Sequence, residues 1–568
     1  MWIEVPPFLL FFLGAGLLTL IPRGPARAVL LLGLPIFGGL NLMGAEAGTS
    51  FQVEVFGYTL SHFRVDSLSL LFGYLFHLAA FLGNLFALHL GKDDRDTLQH
   101  AAALLYAGSA MGAVFAGDLI SLFLFWELLA LSSAVLIWAR GTERSLKAGI
   151  RYLVIHVVSG VMLLAGALIL FFETGNLEFG FIGLTGPGSW LIFLAFGIKA
   201  AFPLLHNWLT DAYPEGTPTG TVFLSAFTTK VAVYALARAF PGTEMLVYIG
   251  AVMTSFPIFY AVIENDLRRV LGYSMINQIG FMVVGIGVGT GLAINGAVAH
   301  AFNDVIFKGL LFMGMGSVLH MTGRINGSDL GGLYKTMPWT ATLTTVGAAS
   351  ISAFPFFNGF VSKSMVMAAV LNEGYVWVWP ALLFASAGVF HHAGIKIPYF
   401  AFFAHDSGIR TKEPPRNMLL AMTLGAILCV GIGVFPQVLY GILPFPMDYW
   451  PYDATHVLTQ TQLLFFGALA FVGLQKTGIY PPELRSTNID AEWVYRWLGP
   501  RVVQKTGAAV AFVDGGFRRV AVRGIKVFLR EAGKSMSPTS GLSRSYPTGF
   551  MVLWVSILLG AYLLFYFL

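Results

Sequence analysis

Charged residues are scarce in this chain of 568 residues, where Asp, Glu, Lys and Arg together make up 11%. A soluble globular protein carries about 25% charged residues, so the scarcity excludes a water-soluble enzyme. Cysteine occurs once, at Cys429, which excludes a disulfide framework and a cysteine-based metal site. In their place the chain has 56% hydrophobic residues and 65 glycines, a composition typical of packed membrane helices.

Long apolar runs predict an all-α polytopic membrane protein with about sixteen transmembrane helices. Their expected ranges are 5–21, 28–44, 67–90, 98–116, 119–138, 150–172, 189–206, 217–240, 245–263, 269–289, 293–320, 338–372, 377–403, 416–434, 455–475 and 547–568. Proline and glycine interrupt the seventh and twelfth spans, which predicts discontinuous helices there. Between the second and third spans, residues 51–58 alternate apolar and polar side chains, which predicts an external β-hairpin.

The lysines and arginines fall almost entirely on one side of the predicted spans. If the N-terminus lies outside, the cytoplasmic connections hold 27 of the 34 basic residues, whereas the outer side holds only Arg64 and Arg238. The positive-inside rule then predicts a multi-pass protein of the cell (inner) membrane with both termini on the outer side. The first apolar run lacks a preceding basic region, so we expect a retained span and not a cleaved signal peptide.

The segment 476–546 is predicted to be cytoplasmic and basic. Arg519, Arg523, Lys526 and Arg530 recur at helical spacing with apolar residues between them. This pattern predicts an amphipathic helix on the membrane surface, with anionic lipid along the 519–530 face. A solvated basic linker is the alternative. Since anionic lipid accounts for the basic surface, we expect no nucleic acid as a partner.

Five lysines lie inside predicted spans and not in the connections between them, and two carboxylates lie inside spans as well. They are Lys199, Lys230, Lys308, Lys363 and Lys396, and the carboxylates are Glu127 and Asp304. A charge at a helix centre costs about 2.5–3.5 kcal/mol, so packing alone gives no reason to retain seven of them. The alternative is that single members form buried salt bridges or reach an interface.

The order of these lysines predicts two related halves. Lys199 and Lys230 lie on the seventh and eighth spans, and Lys363 and Lys396 on the twelfth and thirteenth. An offset of five spans predicts two inverted five-helix repeats, 98–240 and 241–403. We expect three helices with the external hairpin in 1–97, two helices in 404–475, the cytoplasmic segment 476–546, and a last helix at 547–568.

His300, Asp304 and Lys308 follow one another at intervals of four residues, so they share one face of the eleventh span. Burial lowers the proton affinity of a lysine, a carboxylate nearby raises it, and histidine titrates near neutrality. The pattern predicts a proton relay made of Glu127, Lys199, Lys230, His300, Asp304, Lys308, Lys363 and Lys396. Isolated histidines such as His77 and His156 are expected to be packed, hydrogen-bonding groups.

Catalytic and cofactor sites are not indicated. The sequence has no phosphate-binding glycine loop, no cysteine ligand set and no nucleophile elbow. The adjacent His391 and His392 point about 100° apart on a helix, so they are poorly placed to ligate one ion. We therefore expect no catalytic residue, no cofactor and no metal.

Six stretches of sequence, in order, resemble the antiporter-like membrane subunits shared by Mrp-type multisubunit Na⁺/H⁺ antiporters, respiratory complex I and membrane-bound hydrogenases. They are residues 118–127, 197–211, 229–236, 266–280, 300–312 and 359–363. The lysine in Thr-Lys-Val-Ala-Val-Tyr (229–234) looks most like that of the D-type Mrp subunit. Two departures stand out: the family usually has a histidine where Asn303-Asp304 stands, and the basic segment is shorter than the lateral helix of complex I's distal subunit.

The resemblance implies roles for the buried charges. Glu127 and Lys199 would form the acid–base pair of an input half-channel, and Lys230 would continue the path. His300 and Lys308 would act as the relay, and Lys363 would be the terminal lysine toward the outside. The implied function is that of a proton-translocating subunit of a multisubunit Na⁺/H⁺ antiporter, with other hydrophobic subunits as partners. A proton-pumping subunit of a redox complex is the alternative, so whether the complex is an enzyme stays open, and a non-conducting scaffold is a third.

Overall fold

The computed structural model describes residues 5–55, 57–91, 93–485, 488–537, 539–541 and 545–568. The chain divides into two compact units, the first ending at Asn488 and the second running from Ile489 to Leu568. Lys92 and Arg544, two of the basic residues used to predict the orientation, lie outside the described residues, as do the first four residues of the chain.

The described part of the first unit is mostly helical. Its helices are α1 (Pro7–Leu20), α2 (Pro25–Met43), α3 (Ser67–Ala87), α4 (Asp94–Phe115), α5 (Leu119–Trp138), α6 (Glu143–Thr174), α7 (Pro187–Lys199), α8 (Asn207–Ala212), α9 (Gly220–Ala226), α10 (Thr228–Ala239), α11 (Glu244–Ile263), α12 (Leu267–Val288), α13 (Gly291–Thr322), α14 (Pro338–Ile351), α15 (Asn358–Asn372), α16 (Val378–Val389), α17 (Arg416–Val434), α18 (Gln437–Tyr440) and α19 (Ala454–Thr477). The predicted thirteenth span continues beyond α16 through two π-helical turns, Phe390–Lys396 and Tyr399–Phe403.

Twelve helical stretches among the described residues are long and apolar enough to cross a membrane. In that count α9 and α10 form one stretch, and α1 and α7 are shorter apolar helices. The protein is therefore an all-α polytopic membrane protein, as predicted. The count of sixteen transmembrane helices stays a prediction.

The predicted hairpin is present. β1 (Ser50–Val55) pairs antiparallel with β2 (Tyr58–Arg64). The backbone N–H of Ser61 in β2 donates to the Asp118 carboxylate at 2.7 Å, and the same carboxylate caps the first turn of α5. The hairpin is thereby tied to the start of α5.

The start of α6 differs from its prediction. The helix begins at Glu143, about two turns before the expected residue 150. Thr142 and Ser145 each accept the other's backbone N–H at 3.0 Å, which forms a capping box. Lys147 pairs with Glu143 one turn earlier at 2.6 Å. Capping and charge pairing extend the helix beyond its apolar part, so hydrophobicity alone placed the start too late.

Two helices are broken at residues in the left-handed backbone region, which confirms the predicted discontinuities. Ala201 (φ 62°) and Leu204 (φ 70°) separate α7 from α8, and Ala353 (φ 58°) and Phe356 (φ 70°) separate α14 from α15. A non-glycine residue in this region costs about 1–2 kcal/mol. The surrounding packing must hold these breaks open, and unwound backbone inside a membrane protein is tolerated where it is buried or lines a cavity.

The two halves share further local features. Asp118 caps α5 and forms an isolated antiparallel bridge with Glu178, while Asp266 caps α12 and forms the same bridge with Asn326. The long helices α6 and α13 both end at a left-handed glycine. The two five-helix repeats and their inverted relation stay predictions.

The second unit contains α20 (Gly499–Ser535) and α21 (Thr548–Phe567). The basic side chains predicted to share one helical face lie on α20 and are exposed. The helix has 37 residues, about 55 Å at 1.5 Å per residue, because its glycines do not interrupt it. The amphipathic helix extends well beyond the predicted 519–530 face.

Candidate functional site

Lys199 is the last residue of α7, directly before the first helix break. Its side chain is fully buried, and its ammonium donates to the carbonyl oxygen of Trp126 at 2.5 Å. The ammonium also lies 4.3 Å from the centre of the Trp126 indole ring, a cation–π contact. The indole in turn donates to Ser159 at 3.0 Å. Lys199 is therefore held against α5, at the residue next to Glu127.

Glu127 occupies a space that a glycine leaves free. The residue is half-buried on α5, and its Oε1 atom is buried without a hydrogen-bond partner among the described residues. A Cβ added at Gly160 of α6 would stand 1.5 Å from that oxygen. Lys199 binds the carbonyl oxygen of Trp126, the residue next to Glu127, so displacing the carboxylate would change the electrostatic field at the lysine.

Gly160→Ala is expected to displace the Glu127 carboxylate and, under the predicted relay role of Glu127, to reduce proton flux through the reconstituted protein. Overpacking of this kind costs about 1–3 kcal/mol, and the free end of the carboxylate is the part that can yield. Proton flux into proteoliposomes measures the effect. The matched control is Gly431→Ala in α17, where an added Cβ meets no atom within 4 Å. Equal losses of proton flux in Gly160→Ala and Gly431→Ala would contradict a role for the Glu127 carboxylate.

Lys230 and Asp304 form an ion pair across two helices. Lys230 of α10 and Asp304 of α13 are both fully buried, and Nζ lies 2.5 Å from Oδ2. Nζ also donates to the carbonyl oxygen of Ser225 at 3.1 Å, near the junction between α9 and α10. The Asp304 carboxylate compensates the charge of the Lys230 ammonium. The pair couples the predicted central lysine to the polar face of α13.

The other two polar residues on that face of α13 bind side chains of neighbouring helices. Lys308 donates to the hydroxyl of Ser274 in α12 at 2.7 Å. His300 contacts the Gln278 side-chain oxygen through Nε2 at 3.1 Å and the Ser362 hydroxyl through Nδ1 at 3.0 Å. Because the Gln278 amide nitrogen donates to Asn277, its oxygen is the acceptor for His300, so Nε2 carries the proton. In neutral His300, Nδ1 then accepts from Ser362.

Lys363, another of the buried lysines, follows Ser362 on α15. Its side chain is buried, its ammonium donates to the carbonyl oxygen of Ile351 at 3.2 Å, and it lies 5.1 Å from the centre of the Phe281 ring. Ile351 is the last residue of α14, beside the second helix break. Lys199 and Lys363 are therefore each bound beside a broken helix.

Lys396 has different surroundings from the other predicted relay residues. Its ammonium donates to the carbonyl oxygens of Val262 at 2.7 Å and Glu264 at 2.6 Å, at the end of α11, and pairs with Glu483 at 2.9 Å. None of its contacts among the described residues reaches another predicted relay residue. The structure brings Lys396 to a helix C-terminus, where a cation is stabilised by the helix dipole, and to the segment after α19.

Lys396→Met is expected to lower the melting temperature and the yield of folded protein, since it leaves the Glu483 carboxylate buried without its cation. Breaking a buried pair costs about 3–5 kcal/mol. Glu483→Gln should be milder, because the amide oxygen still accepts from the ammonium. Thermal unfolding of the detergent-solubilised protein measures both. A Lys396→Met protein of wild-type stability that had lost proton flux would instead place Lys396 in the relay, as the sequence predicts.

His156 of α6 is fully buried and packs against Tyr152 and Trp208, as predicted, but the predicted hydrogen bond is not made by either ring nitrogen within the described part of the chain. Sequence reasoning missed two residues near His300. Gln278 and its neighbour Asn277 lie in the apolar helix α12, where buried amides are an available signal of function. Over the described residues, no group of three or more His, Cys, Asp or Glu side chains is placed to hold a metal ion.

Residues 116–389 match the family described as NADH:quinone oxidoreductase/Mrp antiporter, TM. The chain is 33% identical over 316 residues to the D component of a Na⁺/H⁺ antiporter from Alkalihalophilus pseudofirmus, a match that covers 52% of this chain and 64% of that protein. It is 32% identical over 366 residues to the N component of NADH-quinone oxidoreductase from Desulforudis audaxviator, covering 59% and 72%. The chain thus spans slightly less than two thirds of the length of the antiporter protein.

Solved structures contain the same fold. A chain of the membrane-bound sulfane sulfur reductase, described as an archaeal respiratory membrane complex, superposes with a TM-score of 0.71. The two chains are 22% identical, and the superposition covers 98% of this chain and 99% of the other. A chain of the Mrp complex from Dietzia sp. DQ12-45-1b superposes with a TM-score of 0.65 at 20% identity, covering 82% and 95%. The likeness shows a fold found in multisubunit membrane complexes.

Proposed function

The chain belongs to the family of antiporter-like membrane subunits, and on that premise we propose that it translocates protons as one component of a multisubunit Na⁺/H⁺ antiporter. Protons would pass along the buried row from Glu127 and Lys199, through Lys230 with its partner Asp304, His300 and Lys308, to Lys363. Na⁺ or a similar monovalent cation would move in the opposite direction. The partners would be other hydrophobic subunits of the same complex, with anionic lipid along α20.

The buried Lys230–Asp304 pair is the observation that carries this proposal. Removing two charges from water costs several kcal/mol per ion, and a well-packed apolar pair is often as stable. Stability alone therefore does not explain why the pair is present. It lies on α10 and α13 between the two broken helices, where a transporter's ion path is expected. A paired lysine and carboxylate can exchange a proton when a neighbouring charge moves.

The mechanism follows from the charges at the two ends of the row. When the Glu127 carboxylate approaches Lys199, the protonated lysine is stabilised. When it moves away, the proton is released toward the centre of the protein. Arrival of positive charge beside Lys230 loosens its pair with Asp304, and the change passes to Lys308 and His300. The Ser362 hydroxyl contacts Nδ1 of His300, and Lys363 is the next residue of α15.

The second candidate is a proton-pumping membrane subunit of a redox complex. It is favoured by the superposition on the sulfane sulfur reductase chain along nearly its whole length and by the similarity to the quinone oxidoreductase component. In that case the same row would be driven by electron transfer in partner subunits. The orientation with both termini outside and 476–546 in the cytoplasm applies to either candidate.

Transport by the purified complex without an electron donor distinguishes the two functions. The complex is reconstituted into vesicles that hold a pH-sensitive dye, and an inward Na⁺ gradient is imposed. The antiporter proposal predicts a change of internal pH that depends on the cation gradient alone. A pH change that appears only with an electron donor and acceptor would instead support the redox pump. Iron–sulfur or nickel–iron proteins in the purified complex would point the same way.

A further inference from the structure

A cavity connects Lys363 with one end of the helix bundle. It has a volume of about 110 Å³ and lies between α15, α16 and α19. A cavity holds a water molecule once it has about 10–15 Å³ of such space, so several waters fit. On α15 its lining residues recur every three or four positions from Lys363 to Leu371, which is roughly 12 Å along the helix.

The polar lining comes mainly from α19. Thr455, His456, Thr459 and Gln460 form one face of its first turns and border the cavity, while the neighbouring Leu458 is exposed. The Gln460 side-chain amide donates to the carbonyl oxygen of Ser352 at 3.0 Å, which fixes α19 against the second helix break. These four side chains bring polar groups to a cavity that α15 and α16 line mostly with apolar residues, so water in the cavity would find its hydrogen-bond partners along α19.

At the inner end, Lys363 has hydrogen-bonding capacity to spare. A lysine ammonium has three donors, and among the described residues Lys363 uses one, to the carbonyl oxygen of Ile351. The adjacent Ser364 also lines the cavity. Water in the cavity would complete the shell of the ammonium and give its proton a way out.

At the outer end, the cavity reaches a histidine–carboxylate pair. His456 contacts the Asp453 carboxylate through Nδ1, and its backbone N–H donates to the same carboxylate at 2.9 Å. Engaging Nδ1 leaves Nε2 of His456 for the cavity. Both side chains are partly exposed, and the nearby connection from α15 to α16 is exposed at Glu373 and Trp377. This connection is on the side predicted to be outside.

We propose that the cavity between α15, α16 and α19 is the outer mouth of the proton path, and that His456, oriented by Asp453, transfers protons between Lys363 and the outer aqueous phase. The proton leaves the Lys363 ammonium for cavity water, water passes it to Nε2 of His456, and the imidazolium releases it outside. Asp453 holds the imidazole ring in place through Nδ1. The inference rests on the proposed function, since it adds an exit to that row.

His456→Ala tests the transfer step in the intact complex. The expected fall in proton flux is about tenfold, less than the roughly 100-fold of a fully enclosed carrier because water can bypass His456. Imidazole added outside should restore the flux, which it cannot do for a purely structural residue. Leu458→Ala, on the exposed side of the same helix, is the control. A His456→Ala complex with wild-type flux, or one with lost flux that imidazole does not restore, would overturn the role of His456.

Thiol labelling tests the mouth itself. Cys429 is the single cysteine of the chain and is buried, so a membrane-impermeant thiol reagent should leave this subunit of the unmodified complex unlabelled. Thr459→Cys is expected to react with that reagent from the outside, and the labelled variant should show less proton flux than the unlabelled one. Leu458→Cys, on the lipid-facing side of α19, is expected neither to react nor to lose flux. If the wild-type complex transports protons but Thr459→Cys does not react with the reagent, the outer mouth is overturned and the proposed function is not. A wild type without any proton flux would overturn the proposed function as well.

Discussion

Proteoliposomes containing Lys199→Met are expected to show no cation-dependent proton flux above that of protein-free vesicles. Methionine fills a similar volume but carries no proton, and the contacts of the ammonium with the Trp126 carbonyl and ring are lost. Because Lys199 is fully buried, water has no obvious way around it. Glu127→Gln should give the same loss, since an amide cannot change its charge.

Lys199→Arg separates proton transfer from simple electrostatics. Arginine retains the positive charge beside Trp126, but it is not deprotonated in proteins. If Lys199 must release its proton in each cycle, the arginine variant is as inactive as the methionine variant. Flux near the wild-type level in Lys199→Arg would show that this position supplies a fixed charge and does not carry the proton. Gel filtration of the complex confirms that each variant still assembles.

Asp304→Leu is expected to be strongly destabilising on its own, and so is Lys230→Met. Each leaves the other charge buried and unpaired, which costs about 3–5 kcal/mol. The double variant Lys230→Met/Asp304→Leu removes both charges, so its stability should return close to that of the wild type. Its proton flux should stay at background. Thermal unfolding and proton flux into vesicles, measured on the wild type and all three variants, give a double-mutant cycle for the Lys230–Asp304 pair.

The stability and the proton flux of the double variant, taken together, distinguish a transport role of the pair from a structural one. Restored stability without flux assigns the pair to transport, because its charges are then dispensable for folding. Restored stability with wild-type flux would contradict a path through Lys230 and Asp304. If the double variant stayed as unstable as the single ones, the pair would be a structural element of the α10–α13 contact.

Much of the architecture is accessible from the sequence because the membrane imposes simple rules. Apolar runs located the helices, and proline and glycine located both helix breaks, since lipid does not tolerate unsatisfied backbone. The buried lysines were identified by their lack of a loop, and spacing placed His300, Asp304 and Lys308 on one face. The late start predicted for α6 shows where hydrophobicity fails, because capping by Thr142 extends the helix beyond its apolar part.

The partners of the buried charges could not be predicted from the same rules. Spacing within one helix says nothing about which side chain of another helix it meets, so the pairing of Lys230 with Asp304 and of Lys396 with Glu483 needed the fold. Lys396 illustrates the consequence. Its position on a span predicts a relay role, which stays a prediction, while its ammonium binds the carbonyl oxygens at the end of α11. The amide of Gln278, which orients His300, was visible as a polar residue in an apolar helix.

Proton flux through Lys363→Met in the same proteoliposomes tests most directly whether the row forms one continuous path. Lys199 and Lys363 lie at opposite ends of it, so removing either should interrupt transport equally. We expect the cation-dependent flux of Lys363→Met to fall to that of protein-free vesicles, as for Lys199→Met, in a complex that assembles normally. Wild-type flux in Lys363→Met, with flux absent in Lys199→Met, would show that protons leave before Lys363 and would contradict the path.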